Sequence, residues 1–152
     1  MRIDVKEVRI GDYLPAVADL ARQNWGETGF DFDLDLDGGR IQALQDAGVA
    51  IALAAFDGDK VVGYSTAYIS PHTFNPRIIC CLTEALFVDP EYRKCSAAYK
   101  LIRETERVAA QRGANRVLWG TRAGTKLADT LMRRGCVPWD ITVARRLEHG
   151  GP

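Results

Sequence analysis

The side chains best suited to chemistry lie within residues 83–98, TEALFVDPEYRKCSAA. Glu84 stands in an apolar segment, and Arg93 and Lys94 follow a proline-containing turn that leads into a predicted helix. The first N–H groups of a helix lack intrahelical acceptors and carry partial positive charge. A strand that runs through a turn into such a helix therefore predicts a pocket for a phosphate or pyrophosphate. Two neighbouring cations would strengthen anion binding there.

Alternating strands and helices surround this segment. Helical spacing predicts four helices, from Asp12 as cap to about Asn24, over 39–47, from near Ser96 to Gly113, and over 125–134. Apolar runs predict strands at 2–8, 50–56, 60–68, 78–88, 115–119 and 141–144. Residues 26–40 and 70–77 are predicted loops, and Asp57-Gly58-Asp59 predicts a hairpin.

This order, β-α-α-β-β-β-α-β-α-β, predicts an α/β protein with a mixed sheet that helices cover on both faces. A chain of 152 residues fits one domain, here 1–152. The last helix is predicted to bury Leu127, Ala128, Leu131 and Met132.

Composition narrows the classes of function. Twenty basic and twenty acidic residues balance, so no global field attracts nucleic acid or an anionic membrane. No apolar run approaches the roughly 20 residues that span a bilayer, and the N-terminus lacks the apolar core of a secretion signal. We expect a cytoplasmic protein whose four cysteines are reduced and, since His72 and His149 are the only histidines, no zinc site. The cysteines are Cys80, Cys81, Cys95 and Cys136.

The pattern Arg93-x-x-Ser96-x-Ala98, placed after the strand residues Leu86-Phe87-Val88, resembles the acyl-CoA-binding segment of the GNAT superfamily of N-acetyltransferases. The family pattern is Arg/Gln-x-x-Gly-x-Gly/Ala, so Ser96 stands where glycine is usual. The order of strands and helices is also similar over nearly the whole chain. The resemblance implies the GNAT fold, a mostly antiparallel mixed sheet flanked by helices.

The resemblance also implies acetyl transfer from acetyl-CoA to a primary amine, without a metal. The pantetheine arm would bond the main chain of Leu86, Phe87 and Val88. The pyrophosphate would meet the backbone N–H groups of six residues, Arg93, Lys94, Cys95, Ser96, Ala97 and Ala98. The structural alternative is that Arg93 and Lys94 are solvated surface charges and that Ser96 caps the helix.

Glu84 is the candidate general base, because many GNAT enzymes place an acidic residue on this strand. Strict alternation would put it on one sheet face with Leu86 and Val88. Burial among apolar neighbours raises the pKa of a carboxyl group, which suits a base near neutral pH. A structural ion pair with a nearby Arg or Lys is the alternative.

Two family positions differ. Where the family often has an asparagine and a tyrosine that protonates the CoA sulfur, this chain has Gly124 and Leu131. Tyr92, Tyr99 or a water would have to replace the acid. These differences leave open a catalytically weak or inactive CoA-binding or protein-interaction module.

Four further features each have two interpretations. Cys95 lies at a helix N-terminus beside Lys94, which favours a thiolate nucleophile, but it would crowd the pyrophosphate. His72 either lines the acceptor site or lies in an exposed loop. A basic group either contacts nucleic acid, a partner that we do not expect for a chain of zero net charge, or is surface charge; it comprises Arg133, Arg134, Arg145 and Arg146.

The fourth feature is an acidic segment after the first helix, in the region that borders the acceptor pocket in GNAT proteins. It either attracts a cationic amine or is a half-buried extended segment with a solvated edge. Its acids are Glu27, Asp31, Asp33, Asp35 and Asp37. The family resemblance also makes a homodimer possible.

Overall fold

The computed structural model describes residues 1–148, and His149 lies outside them. Five strands form the sheet: β1 (Ile3–Glu7), β2 (Ala50–Asp57), β3 (Lys60–His72), β4 (Asn75–Val88) and β5 (Arg116–Trp119). Four helices accompany them: α1 (Ile10–Thr28), α2 (Gly38–Asp46), α3 (Ala97–Gln111) and α4 (Lys126–Arg133). The chain divides into two compact units, Met1–Thr121 and Arg122–Pro152, and the sheet belongs to the first. The single-domain assignment for 1–152 remains a prediction.

The sheet has the strand order β1-β2-β3-β4-β5. The first four strands pair antiparallel, and β4 pairs parallel with β5 over only four residues, Cys80–Thr83. Gly58, at φ 60°, supplies the left-handed turn between β2 and β3 that the Asp57-Gly58-Asp59 motif predicts. The predicted mixed, mostly antiparallel sheet is confirmed.

Helices cover both faces of this sheet, as predicted. On one face α3 packs on the strands through its fully buried residues Leu101 and Ala109, in one cluster with Leu53 and Val62 of the sheet. On the other face α1 and α2 pack on a second cluster that includes Phe56, Tyr64 and Phe87. At the end of β4, Leu86 and Val88 belong to the first cluster and Ala85 and Phe87 to the second, so both faces of this part of the strand pack against protein.

The start of α1 differs from the prediction. The helix begins at Ile10, and Asp12 lies in its first turn instead of serving as the cap. Two glutamines of α2 accept the first helical N–H groups, Gln45 from Ile10 at 3.0 Å and Gln42 from Gly11 at 2.9 Å. Capping by a distant helix leaves no sequence signal next to the helix start. The helix also continues to Thr28, four residues beyond the prediction.

The predicted loop at 70–77 is instead the end of a long hairpin. Strand β3 continues to His72 and β4 begins at Asn75. The prolines at 71 and 76 are tolerated because this part of the hairpin extends past β2, whose pairing stops at Tyr68, and past β5, which starts opposite Cys80.

In the second unit, α4 spans the predicted segment and buries Leu131, whereas Met132 is 47% exposed. The predicted last strand is wrong: residues 141–144 have no regular secondary structure, and Ile141 and Val143 are exposed. Alternating apolar residues make a strand only when a neighbouring strand accepts the backbone hydrogen bonds. No helix among residues 1–148 is both long enough and apolar enough to cross a membrane.

Candidate functional site

The point where β4 and β5 separate defines the site. The Thr83 hydroxyl donates to the Leu118 carbonyl oxygen at 3.1 Å and accepts the Gly120 N–H at 3.0 Å. A Cβ at Gly120 would lie 2.9 Å from the Thr83 carbonyl oxygen, so this close approach requires glycine. Among residues 1–148, β4 has no strand partner on this edge after Thr83. The main chain of residues 84–88 therefore has one free edge.

Glu84 lies at an irregularity on the other side of β4. Opposite β3, Thr83 pairs with Ala67 and Ala85 pairs with Thr66, which leaves Glu84 as the extra residue of a β-bulge. The bulge interrupts the alternation of side chains along β4. The prediction that Glu84 shares a sheet face with Leu86 and Val88 therefore no longer holds. Glu84 is exposed, so the predicted burial of its side chain is wrong.

The proposed pantetheine-binding residues present main chain and not side chains. Phe87 and Val88 are buried at 4% and 5% exposure, in opposite core clusters, and Leu86 packs partly buried beside Val88. With their side chains in the core, these residues have only backbone groups to offer at the free edge, and the Val88 carbonyl oxygen already accepts the Arg93 Nε–H at 3.0 Å. A ligand at this edge would bind as an added strand does.

A tight turn connects β4 to α3. The Asp89 carboxylate accepts the Glu91 N–H at 2.9 Å, and a single 3₁₀ turn spans Pro90–Tyr92. The Tyr92 carbonyl oxygen then accepts both the Cys95 N–H at 3.2 Å and the Cys95 thiol at 2.8 Å. These local bonds fix the chain that enters α3.

Four backbone N–H groups of this turn have no acceptor among residues 1–148, namely those of Lys94, Ser96, Ala97 and Ala98. Two others of the predicted set are engaged: Arg93 N–H reaches the Pro90 oxygen at 3.4 Å, and Cys95 N–H bonds Tyr92. Open N–H groups at the start of a 15-residue helix form an anion-binding arrangement.

Ser96 occupies the N-cap position of α3, but its hydroxyl does not cap the helix as the structural alternative expects. Its side chain makes no capping hydrogen bond, and its φ of −77° is ordinary for any residue. Replacing the family's usual glycine by serine therefore costs no backbone strain here. The donated thiol hydrogen and partial burial of Cys95 indicate a structural cysteine and not a nucleophile.

Buried contacts hold α3 and the sheet together beneath the turn. The Ser65 and Thr105 hydroxyls lie 3.0 Å apart, both fully buried, and Thr105 also donates to the Leu101 carbonyl oxygen at 2.8 Å.

Cys80 and Cys81 are buried free thiols, and burial raises the pKa of Cys81 to about 11.

Arg93 makes contacts that its sequence position did not indicate. Its Nη2 donates to both carboxylate oxygens of Glu27, at 2.8 and 3.0 Å, and its Nε donates to the Val88 carbonyl oxygen at 3.0 Å. The guanidinium lies over the Phe87 ring, 5.1 Å from its centroid. Arg93 is therefore neither a free solvated charge nor an unpaired cation for the anion site.

The acidic residues that follow the first helix make different contacts from one another. Asp37 caps α2 by accepting the Arg40 N–H at 2.8 Å, and Glu27 bonds Arg93. Asp33 and Asp35 are exposed carboxylates. Between them, Leu34 packs on the second core cluster, which partly matches the half-buried interpretation, although the segment is not a strand.

Other sequence candidates lie elsewhere or are engaged. His72 is exposed at the hairpin end, at the opposite end of β4 from Val88. The Tyr92 hydroxyl donates to Asp57 at 3.2 Å, so this possible proton donor to the CoA sulfur is already engaged in a hydrogen bond. The basic side chains at 133, 134, 145 and 146 are exposed.

An open groove of about 470 Å³ lies between α1 and the turn of β2 and β3. Asp12, Asp19 and Asp59 line it together with Lys60. None of the four open N–H groups and neither Glu84 nor Arg93 lines this groove, and so its volume does not mark the site.

Sequence reasoning missed Thr83, Gly120 and Asn24, and it did not pair Glu27 with Arg93. Each acts through a contact between residues far apart in the chain, as with the Asn24 amide, which donates to the Tyr64 hydroxyl at 3.0 Å. Burial raises the pKa of Tyr64, and the Asn24 hydrogen bond partly opposes this effect. Only Gly120, a glycine directly after a predicted strand, carried a signal of close backbone approach.

Comparison with known proteins agrees with this geometry. The model of the acetyltransferase (GNAT) family matches residues 14–136. No curated protein sequence matches the chain.

Solved acetyltransferase structures share the fold at low identity. An acetyltransferase from Trypanosoma brucei is 15% identical, with TM-score 0.76 over 96% of this chain and 100% of that one. Glucosamine-6-phosphate N-acetyltransferase from Arabidopsis thaliana is 12% identical, with TM-score 0.76 over 97% and 100%. AAC(6')-Iy, in complex with the bisubstrate analog CoA-S-monomethyl-acetylneamine, is 19% identical, with TM-score 0.76 over 98% and 100%.

Proposed function

Because the chain belongs to the GNAT family of acetyltransferases, we propose that it transfers the acetyl group of acetyl-CoA to a primary amine. The observation that carries this proposal is the group of four open N–H groups at the start of α3, directly after the free edge of β4. That arrangement suits a ligand with an extended amide-containing arm and a diphosphate.

The residues present fit this cosubstrate. Hydrogen bonds from Lys94, Ser96, Ala97 and Ala98 N–H to phosphate oxygens would be charge-assisted, and the positive end of α3 adds to them. The free edge of residues 84–88 is about 16 Å long at the usual strand rise. An extended arm bonded there would place its far end near Glu84.

Acetyl-CoA would supply a thioester, in which the thiol is the leaving group. When an amine nitrogen attacks the thioester carbonyl, a C–N bond forms and the C–S bond breaks. The amine must lose a proton and the departing sulfur must gain one. Glu84 is the base we propose, because its exposed carboxylate stands at the bulge where the free edge begins.

We propose a cationic acceptor, for example a polyamine, an aminoglycoside or a lysine side chain. The exposed carboxylates of Asp33 and Asp35 support this, since a negative rim raises the local concentration of amines. The sulfur's proton would come from Tyr99 or from water, because the Tyr92 hydroxyl is already bonded to Asp57.

Titration calorimetry with acetyl-CoA, combined with thiol release in the presence of spermidine, kanamycin or a lysine peptide, tests the proposal. Binding together with amine-dependent thiol release is expected. Absence of heat with both acetyl-CoA and CoA would overturn it. Tight binding without thiol release would favour a CoA-binding module that lacks catalysis.

A further inference from the structure

The Arg93 side chain joins three elements of the first compact unit. It belongs to the turn before α3, it bonds the end of β4 at the Val88 oxygen, and it bonds Glu27 near the end of α1. A guanidinium is planar and its donors have fixed directions, so contacts through Nε and Nη2 fix its orientation. Phe87, buried at 4% exposure, supports the group from one side.

A second contact holds the same end of α1. Asn24, three residues before Glu27 and thus on a neighbouring part of the helix surface, donates to the hydroxyl of buried Tyr64 on β3. Tyr64 and Phe87 are ring neighbours, with centroids 6.3 Å apart. The last turn of α1 is therefore attached to two adjacent strands, and Gly29 ends the helix at φ 69° and begins the acidic loop.

We propose that Arg93 and Glu27 are positioning residues that couple the turn carrying the open N–H groups to the α1 end and the loop 29–37. The inference rests on the proposed function for its meaning, since these two segments would hold cosubstrate and acceptor. The link itself is a property of the free protein. Arg93 thus acts by holding the two segments in position, and its positive charge is paired with the Glu27 carboxylate.

The Arg93–Glu27 ion pair is a weak, solvent-exposed link. The two side chains are 43% and 51% exposed, so the pair is solvated and weak by the standard of buried ion pairs. Nη1 of Arg93 has no acceptor among residues 1–148. A phosphate oxygen near the open N–H groups has this donor available without displacing Glu27.

Hydrogen exchange of the free protein tests the link without any activity. In Glu27→Gln, amide exchange in residues 25–37 and 89–96 should rise by up to about fivefold, the range of exposed ion pairs. Glu91→Gln is the matched control, because Glu91 is an exposed glutamate on the same turn and its side chain makes no hydrogen bond or ion pair with Arg93. Exchange in Glu27→Gln equal to wild type in both segments would overturn the proposal.

Kinetics test the consequence. Glu27→Gln should raise the KM for the amine that wild type uses best among spermidine, kanamycin and a lysine peptide, while kcat at saturation and CoA affinity are retained. Glu27→Asp should recover part of the effect. Raised exchange with unchanged amine KM would overturn the coupling. Failure of CoA to bind wild type would refute the proposed function and leave the exchange result standing.

Discussion

The turn between β4 and α3 and the loop between α1 and α2 have similar lengths but are built in different ways. In the turn, residues 89–96, local backbone bonds fix the path and leave specific N–H groups open. In the loop, residues 29–37, side chains make the structure: Trp25 donates to the Phe32 oxygen at 2.9 Å, and its ring contacts those of Phe30 and Phe32.

The contrast explains why the cosubstrate half of the proposed site is easier to assign than the acceptor half. A backbone site binds a ligand feature that is the same in every reaction, the diphosphate, and its requirements are small residues and a helix start. A side-chain site is specific to its ligand. The exposed carboxylates at 33 and 35 favour a cation, but many amines are cations.

The largest expected effect lies at Glu84, the proposed base for the reaction between cosubstrate and acceptor. Glu84→Gln should lower kcat by about 100-fold or more, because a general base is lost, and leave CoA affinity unchanged. Quenched time-point assays of thiol release measure kcat, and titration calorimetry measures CoA affinity. Glu91→Gln should behave as wild type. Turnover of Glu84→Gln at the wild-type level across pH would mean that Glu84 is not the base.

The next effect tests the backbone site alone. Ser96→Pro removes one open N–H, and the φ of −77° at this position suits proline. Loss of one charge-assisted hydrogen bond should weaken CoA binding by about 10- to 150-fold. Ser96→Ala and Ser96→Gly keep the N–H and should bind as wild type does. If Ser96→Ala weakens binding equally, the hydroxyl and not the backbone is the ligand.

A third change separates the support of α3 from its open N–H groups. Thr105→Val leaves the buried Ser65 hydroxyl without its partner. It should lower the free energy of unfolding by about 1–3 kcal/mol, measured by denaturant titration. Adding Ser65→Ala should restore part of the loss. CoA affinity of the folded variant should not change, and a large loss of affinity would contradict the separation.

The smallest effect concerns the loop. The double change Asp33→Asn and Asp35→Asn should raise the amine KM by up to about fivefold at low salt, with less effect at high salt, because exposed charges are screened. CoA affinity should be unchanged. Asp12→Asn, an exposed acid on the first turn of α1, is the control. An amine KM that does not respond would remove the loop carboxylates from acceptor binding.

Local patterns were sufficient for most of the first unit. The apolar runs of β2 and β4, the Gly58 turn and the helical period of α3 depend on neighbours in sequence, and all were correctly predicted. The errors occur where the partner is distant. The start of α1 is capped by α2, the hairpin at 70–77 is longer than its prolines suggest, and residues 141–144 lack the partner strand that their alternation implies.

The order of residues by itself determined the strand, turn and helix start that form the proposed anion site, because these depend on local backbone preferences. Only the tertiary structure decided how that site is bounded. The bulge displaces Glu84 from the face that counting gives, Thr83 and Gly120 open the edge of β4, and Glu27 takes the charge of Arg93. The last two features arise from pairing between residues that lie 37 and 66 positions apart, and no local pattern specifies them.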